Sequence, residues 1–157
     1  MTDTIIYNIM RIMSNRRQFY VQHFEPLGLA HGQWILLRRI CENPGIYQES
    51  LTKMVNMDKG NLARKLADME EKGLIERTVS QKDRRAAELY PAEAGKALLP
   101  EILKVDQAWK DYILEGLTTE QCTLLENITE HMKTRSEQIF DQYGTAGSQE
   151  AESDKNT

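Results

Sequence analysis

Apolar residues recur along most of this chain at helical spacing, and they alternate in one short central stretch. Ile5, Ile9, Ile12, then Phe19 or Tyr20, and Phe24 predict a long amphipathic helix from about Asp3 to Phe24. Glu25-Pro26-Leu27-Gly28 ends it. A second helix is expected from Ala30 to Cys41, with Trp34, Leu37 and Ile40 or Cys41 inward; Ala30 offers no hydroxyl for an N-cap. After the turn Glu42 to Gly45, a short helix carries Leu51, Met54 and Val55 on one face. Asn56-Met57 turns the chain. Asp58 can then cap a further helix that runs to Lys72, with Gly73 where a left-handed terminal residue is wanted.

Two short strands follow, Leu74 to Val79 and Ala86 to Tyr90, joined by the polar connection Ser80 to Arg85. Pro91 cannot donate a ladder hydrogen bond, which leaves the end of the second strand open. From Glu93 to about Gly116 a long helix places Ala94, Leu98, Ile102, Val105, Trp109 and Tyr112 on one stripe, with Pro100 expected to kink it. Thr118 to Gln121 forms a capping box, flanked by Leu117 and Cys122 as a hydrophobic staple. The last helix carries Leu125, Ile128, Met132, Ile139 and Tyr143. The tail from Gly144, rich in Gly, Ser, Glu and Asp, is expected to be disordered.

The helix after Asp58 carries candidate chemistry. Leu62, Leu66 and Met69 make its buried stripe, and at ~100° per residue the opposite face collects Gly60, Asn61, Arg64 and Asp68. Asn and Arg are the side chains that grip adenine and guanine edges with paired hydrogen bonds, and Gly60 permits close approach. A solvated polar face is the alternative for this helix taken alone. In the connection after Val79, an extended backbone would put Asp83 and Arg85 on one face, the carboxylate bracing the guanidinium, with Arg84 pointing away. An arginine held on a thin hairpin suits a narrow minor groove; an ordinary soluble loop is the alternative.

Two helices joined by a tight connection and followed by a hairpin with a basic tip make a winged helix-turn-helix. The run from Gln48-Glu49-Ser50-Leu51 through Asp58 and Leu62-Ala63-Arg64 to Glu71-Lys72-Gly73-Leu74-Ile75-Glu76-Arg77, then Asp83-Arg84-Arg85, resembles the MarR family of transcription regulators. The resemblance extends over roughly Ile5 to Tyr143. Its Asp-x-Arg wing motif falls at Asp83 and Arg85, while Ala30 and Pro91-Ala92 depart from the family pattern. It implies a mainly α fold with a small β-hairpin wing, the winged helix-turn-helix being inserted between long dimerisation helices. The corresponding segments are 1–30 for the N-terminal dimerisation helix, 31–91 for the DNA-binding domain, 92–143 for the C-terminal dimerisation helices and 144–157 for the tail. It also implies a homodimer on a pseudo-palindromic double-stranded DNA operator, repressing transcription until a small molecule or oxidant intervenes.

The residues expected to meet DNA are Gln48, Lys59, Gly60, Asn61, Arg64 and Lys65 on the helices, with Lys82, Asp83, Arg84 and Arg85 on the wing. A small aromatic or anionic effector would use Trp34 as a ring face and Arg16 or Arg17 as counter-charge; a salt-bridged surface pair is the alternative for the two arginines.

The chain of 157 residues is 40% hydrophobic, enough for a core, and has no apolar run of membrane-spanning length and no signal-peptide pattern at Met1 to Thr4. A net charge of −4 is unexpected for a DNA binder. The distribution resolves this, because 53–85 holds nine basic and six acidic side chains, so a basic head stands on an acidic body. Two cysteines, Cys41 and Cys122, far apart in sequence, suggest a reduced cytoplasmic protein. No nucleophile elbow, Walker loop or dinucleotide fingerprint occurs, and His23, His31 and His131 lack metal-ligand spacing, so neither catalysis nor a cofactor nor a metal is expected. Two further readings stand beside the effector-released repressor: a redox-responsive regulator acting through Cys41, and a winged helix used only for protein contact.

Overall fold

The computed structural model of the chain describes residues 1–55, 57–80 and 86–143. Asn56, Lys82, Asp83, Arg84, Arg85 and the tail from Gly144 therefore lie outside the described residues, together with the expectations placed on them. The elements are α1 (Thr2–Phe24), a 3-10 turn (Glu25–Leu27), α2 (Gln33–Glu42), β1 (Ile46–Tyr47), α3 (Gln48–Val55), α4 (Lys59–Glu71), β2 (Ile75–Val79), β3 (Ala87–Pro91), α5 (Glu93–Leu114) and α6 (Thr119–Tyr143). They fall into two compact units, one of Met1–Tyr112 and one from Ile113 onward.

In the first unit the helix stripes close on one core. Leu62, Leu66 and Met69 of α4 are fully buried, as are Leu36, Leu37 and Ile40 of α2, Leu51 of α3 and Ile102 of α5. Each such side chain contributes about 1.5–3 kcal/mol of burial before conformational entropy is counted. Met54 is the exception to the α3 stripe, being half exposed, and Ala94 and Tyr112 lie outside the buried part of the α5 stripe.

Helix α2 begins at Gln33, three residues beyond the expected start at Ala30. Gly32 takes a left-handed φ of 81°, which no helix can pass through. The missing hydroxyl at position 30 is replaced from the other side: the Ala30 N–H donates to Gln33 Oε1 at 2.8 Å, and the Gln33 N–H donates to the Ala30 carbonyl at 2.9 Å.

The wing belongs to a three-stranded antiparallel sheet of order β1-β3-β2. Strand β1, too short to announce itself by alternation, pairs Ile46 with Leu89 and Tyr47 with Glu88. On the other side, β2 pairs with β3 from Ile75 opposite Pro91 to Val79 opposite Ala87. Pro91 ends the strand without cost, because the ladder bond there comes from the next residue: the Ala92 N–H donates to the Leu74 carbonyl at 3.1 Å.

Helix α5 continues unbroken through Pro100. Near its start Gly95 is buried against the sheet, where an added Cβ would stand 2.1 Å from the Leu74 carbonyl oxygen and 2.9 Å from Leu37 Cδ1. In the second unit, α6 opens with the expected capping box. The Gln121 N–H donates to Thr118 Oγ1 at 3.3 Å, and the Thr118 N–H donates to Gln121 Oε1 at 2.9 Å. Among the described residues no helix is long and apolar enough to cross a membrane.

Candidate nucleic-acid interface

Helix α4 is presented by its cap. Asp58, in extended conformation, accepts the Asn61 N–H on Oδ1 at 2.8 Å, starting α4 cleanly and placing a carboxylate at the positive end of its dipole. With Leu62, Leu66 and Met69 turned inward, Lys59, Gly60 and Arg64 are exposed and Asn61 is half-buried beside the cap. Among the described residues, only the Asp58 carboxylate lies within 4 Å of a Cβ position at Gly60. Gln48 begins α3 immediately after β1. It lies with Tyr47, Ser50, Thr52, Lys59 and the base of the wing around a groove of about 650 Å3. Gln48 and Lys59 thus share one groove, and Gly60, Asn61 and Arg64 follow Lys59 in the first two turns of α4.

Two residues of α4 behave otherwise. Lys65 turns back, and its Nζ donates to the His31 carbonyl. Asp68, which helical spacing groups with the outward face, faces α2 instead. It accepts from Gln33 Nε2 at 2.5 Å and from Lys72 Nζ at 2.8 Å. Those two hydrogen bonds, Lys72 first, hold its carboxyl below the usual range. Position 68 lies on the flank of the polar face, and the turn before α2 covers that flank.

Beneath α1 a second cavity, of about 510 Å3, is lined by Met13, Ser14, Arg16, Arg17, Tyr20, His31, Gly32, Trp34 and Ile35. It brings together all the residues expected at an effector site. The Arg16 guanidinium lies over the Tyr20 ring at 4.6 Å and over the Trp34 ring at 5.5 Å, so the Trp34 face is already covered by a cation. The lining is cationic. Burial, then the charges of Arg17 and Lys65, push His31 below the ordinary histidine range.

Behind the cavity lies a buried polar cluster that the apolar pattern hides. Asp106 is 4% exposed. It accepts from the Tyr20 hydroxyl at 2.7 Å, from Arg38 Nη1 at 2.7 Å and from Lys110 Nζ at 2.6 Å. Burial, followed by the Asp106 hydrogen bond, pushes Tyr20 up to about 12. One signal in the sequence marked the place: an acid between Val105 and Trp109, on the side of α5 that otherwise reads apolar.

A capped helix with an outward arginine, preceded by a short helix and followed by a sheet-based hairpin, defines a winged helix-turn-helix protein. The chain belongs to the MarR family, whose family model matches residues 29–87. It is 34% identical over 98 residues to the uncharacterized HTH-type transcriptional regulator YybA of Bacillus subtilis (strain 168), a match covering 62% of this chain and 65% of that protein. The transcriptional regulator SlyA superposes with a TM-score of 0.82 at 28% identity, over 87% of this chain and 96% of that one. A MarR-type protein from Listeria monocytogenes, crystallised with a 26mer DNA, superposes with a TM-score of 0.79 at 30% identity, over 90% and 94% of the two chains.

Proposed function

We propose that this protein binds double-stranded DNA sequence-specifically as a homodimer, and represses transcription until a small aromatic anion enters the cavity beneath α1. The observation that carries the DNA reading is the outward placement of Arg64, Lys59 and Gly60 on a capped helix whose other side is locked in the core. The 26mer DNA bound by the Listeria relative supports it. In this reading Arg64 meets a guanine edge, Asn61 and Gly60 lie against the groove floor, and Lys59 and Gln48 meet phosphates. Lys65 fastens the helix from behind, while Lys82, Asp83, Arg84 and Arg85 serve the flanking minor groove. DNA recovered by in vitro selection, followed by gel-shift titration, tests this. Arg64→Ala should cost about 1–3 kcal/mol on the selected site and relax preference mainly at one base pair per half-site. A uniform loss across selected and scrambled DNA would show that Arg64 contacts phosphate only.

The homodimer rests on apolar surface. Ile5, Ile6, Ile9 and Ile12 of α1 are all more than a third exposed, as are Leu124, Leu125, Ile128 and Ile139 of α6. Apolar side chains left exposed together along a helix mark a partner surface. Two copies related by a twofold axis would set their α4 helices in successive major grooves, with half-sites about 10 bp apart. Light scattering at micromolar concentration should give twice the chain mass; a monomer with unchanged DNA affinity would refute the arrangement.

The effector reading rests on a cavity that joins Arg16 and Arg17 to the aromatic walls Tyr20 and Trp34. A planar carboxylate can take the place of Arg16 on the Trp34 face or stack on the guanidinium itself. The thiol alternative gains no support. Cys41 is half-buried, and burial pushes its pKa up, away from the reactive thiolate.

A further inference from the structure

Apolar packing is only part of what seats α4. One turn of chain, 28–33, is fastened along its flank. Lys72 Nζ donates to the Gly28 carbonyl at 3.1 Å and to Gln33 Oε1 at 3.3 Å. Lys65 Nζ donates to the His31 carbonyl, and Gln33 Nε2 donates to Asp68 while lying 3.5 Å from the Lys65 carbonyl. At the centre is Gln33, 1% exposed. Its Nε2 is bound to α4, and its Oε1 accepts the Ala30 N–H of the turn. A buried amide so engaged cannot reorient without leaving a donor or an acceptor unpaired.

The other surface of the same turn lines the cavity beneath α1, through His31 and Gly32, next to Trp34. At Gly32 a Cβ would stand 3.7 Å from Lys65 Cε and Nζ. Between the cavity and α4 there is thus a single thickness of backbone.

We propose that Gln33 is a positioning residue for DNA reading, and that through it the cavity and the seat of α4 are coupled. The coupling rests on the DNA-binding reading above. A displacement of the turn from the cavity side stretches the Ala30 and Asp68 bonds of one rigid amide together, so α4 follows the turn. Because coupling between two sites is reciprocal, seating DNA on α4 must alter the cavity even when no effector is present. Trp34 reports that alteration.

The chain has two tryptophans, so in full-length protein carrying Trp109→Phe the emission of Trp34 is read alone. Titration with DNA obtained by selection should change this emission along the gel-shift isotherm, and scrambled DNA at the same concentration should not. Gln33→Met keeps the volume and removes the hydrogen bonds. It should weaken binding about 5-fold, the size of one ordinary hydrogen bond, and silence Trp34 when DNA is bound. Asp68→Ala removes the same tie from the half-exposed helix side and should reduce the signal too, which keeps the test open if Gln33→Met fails to fold. Flat Trp34 emission in the Trp109→Phe protein, with a normal gel shift, would overturn the coupling and leave DNA binding standing. An undiminished signal in Gln33→Met or Asp68→Ala would overturn the role of Gln33. If no selected DNA binds at all, the DNA reading falls and the coupling with it.

Discussion

Alanine at position 95 should lower the stability of this protein by about 3 kcal/mol, at the upper end of ordinary overpacking. The sign is opposite to the one helix propensity gives, since Gly→Ala inside a helix usually gains about 1 kcal/mol. Here the added methyl group would stand 2.1 Å from the Leu74 carbonyl oxygen, with Leu37 Cδ1 at 2.9 Å on the other side. The leucine side chain can yield, but the carbonyl cannot, because it accepts the Ala92 N–H that ends the wing ladder. Relief must therefore tilt α5 away from the sheet or break that bond. Urea unfolding of Gly95→Ala against the wild type measures the cost. A midpoint at or above that of the wild type would mean that α5 does not approach β2 so closely.

Asp106→Ala should destabilise by a similar amount, about 3 kcal/mol at neutral pH. Removing one partner of a buried ion pair strands the others, and here the Tyr20 hydroxyl loses its acceptor while Arg38 is left with Glu42. The pH dependence has a definite direction. Burial alone would raise the Asp106 pKa. The hydrogen bonds from Lys110 and Tyr20, together with the charges of Lys110 and Arg38, outweigh it and hold the carboxyl below its ordinary 3.8. A carboxyl depressed in the folded state contributes stability that is fully present above its unfolded pKa and is lost as pH falls through the folded one. The gap in melting temperature between wild type and Asp106→Ala should accordingly be widest near pH 7 and narrow below about pH 4. A gap independent of pH would assign the loss to packing instead of charge.

Much of this architecture could be read from periodicity, because its helices bury one stripe each. Leu62, Leu66 and Met69 announce α4, Asp58 its start and Gly73 its end. What escaped the pattern is polar or very short. Ile46 and Tyr47 form a strand only because β3 lies beside them, and two residues cannot display alternation. Gln33 reads as an unremarkable helix residue, yet it is buried, since its partners Asp68 and Lys72 lie a whole element away. Asp68 was drawn to the solvent face by angle alone, and only the turn before α2 reveals its partner. The exposure of Lys59, Gly60 and Arg64 was legible because one helix carries them opposite its buried stripe. The cavity beneath α1 was legible only in part: Arg16, Arg17 and Trp34 stood out by chemistry, whereas Tyr20 and His31 join them by tertiary contact.

The sheet order has a consequence for how such a protein can change over evolutionary time. Strand β3 is bonded along both edges at Glu88 and Leu89, to β1 on one side and β2 on the other. Its register is therefore latched to the stem of the molecule. Slipping it by one residue would turn every wing side chain to the opposite face. Lengthening or shortening the hairpin at its tip by paired residues leaves the latch untouched. The reach of the wing can thus drift in increments of two while α4 keeps its seat on the core.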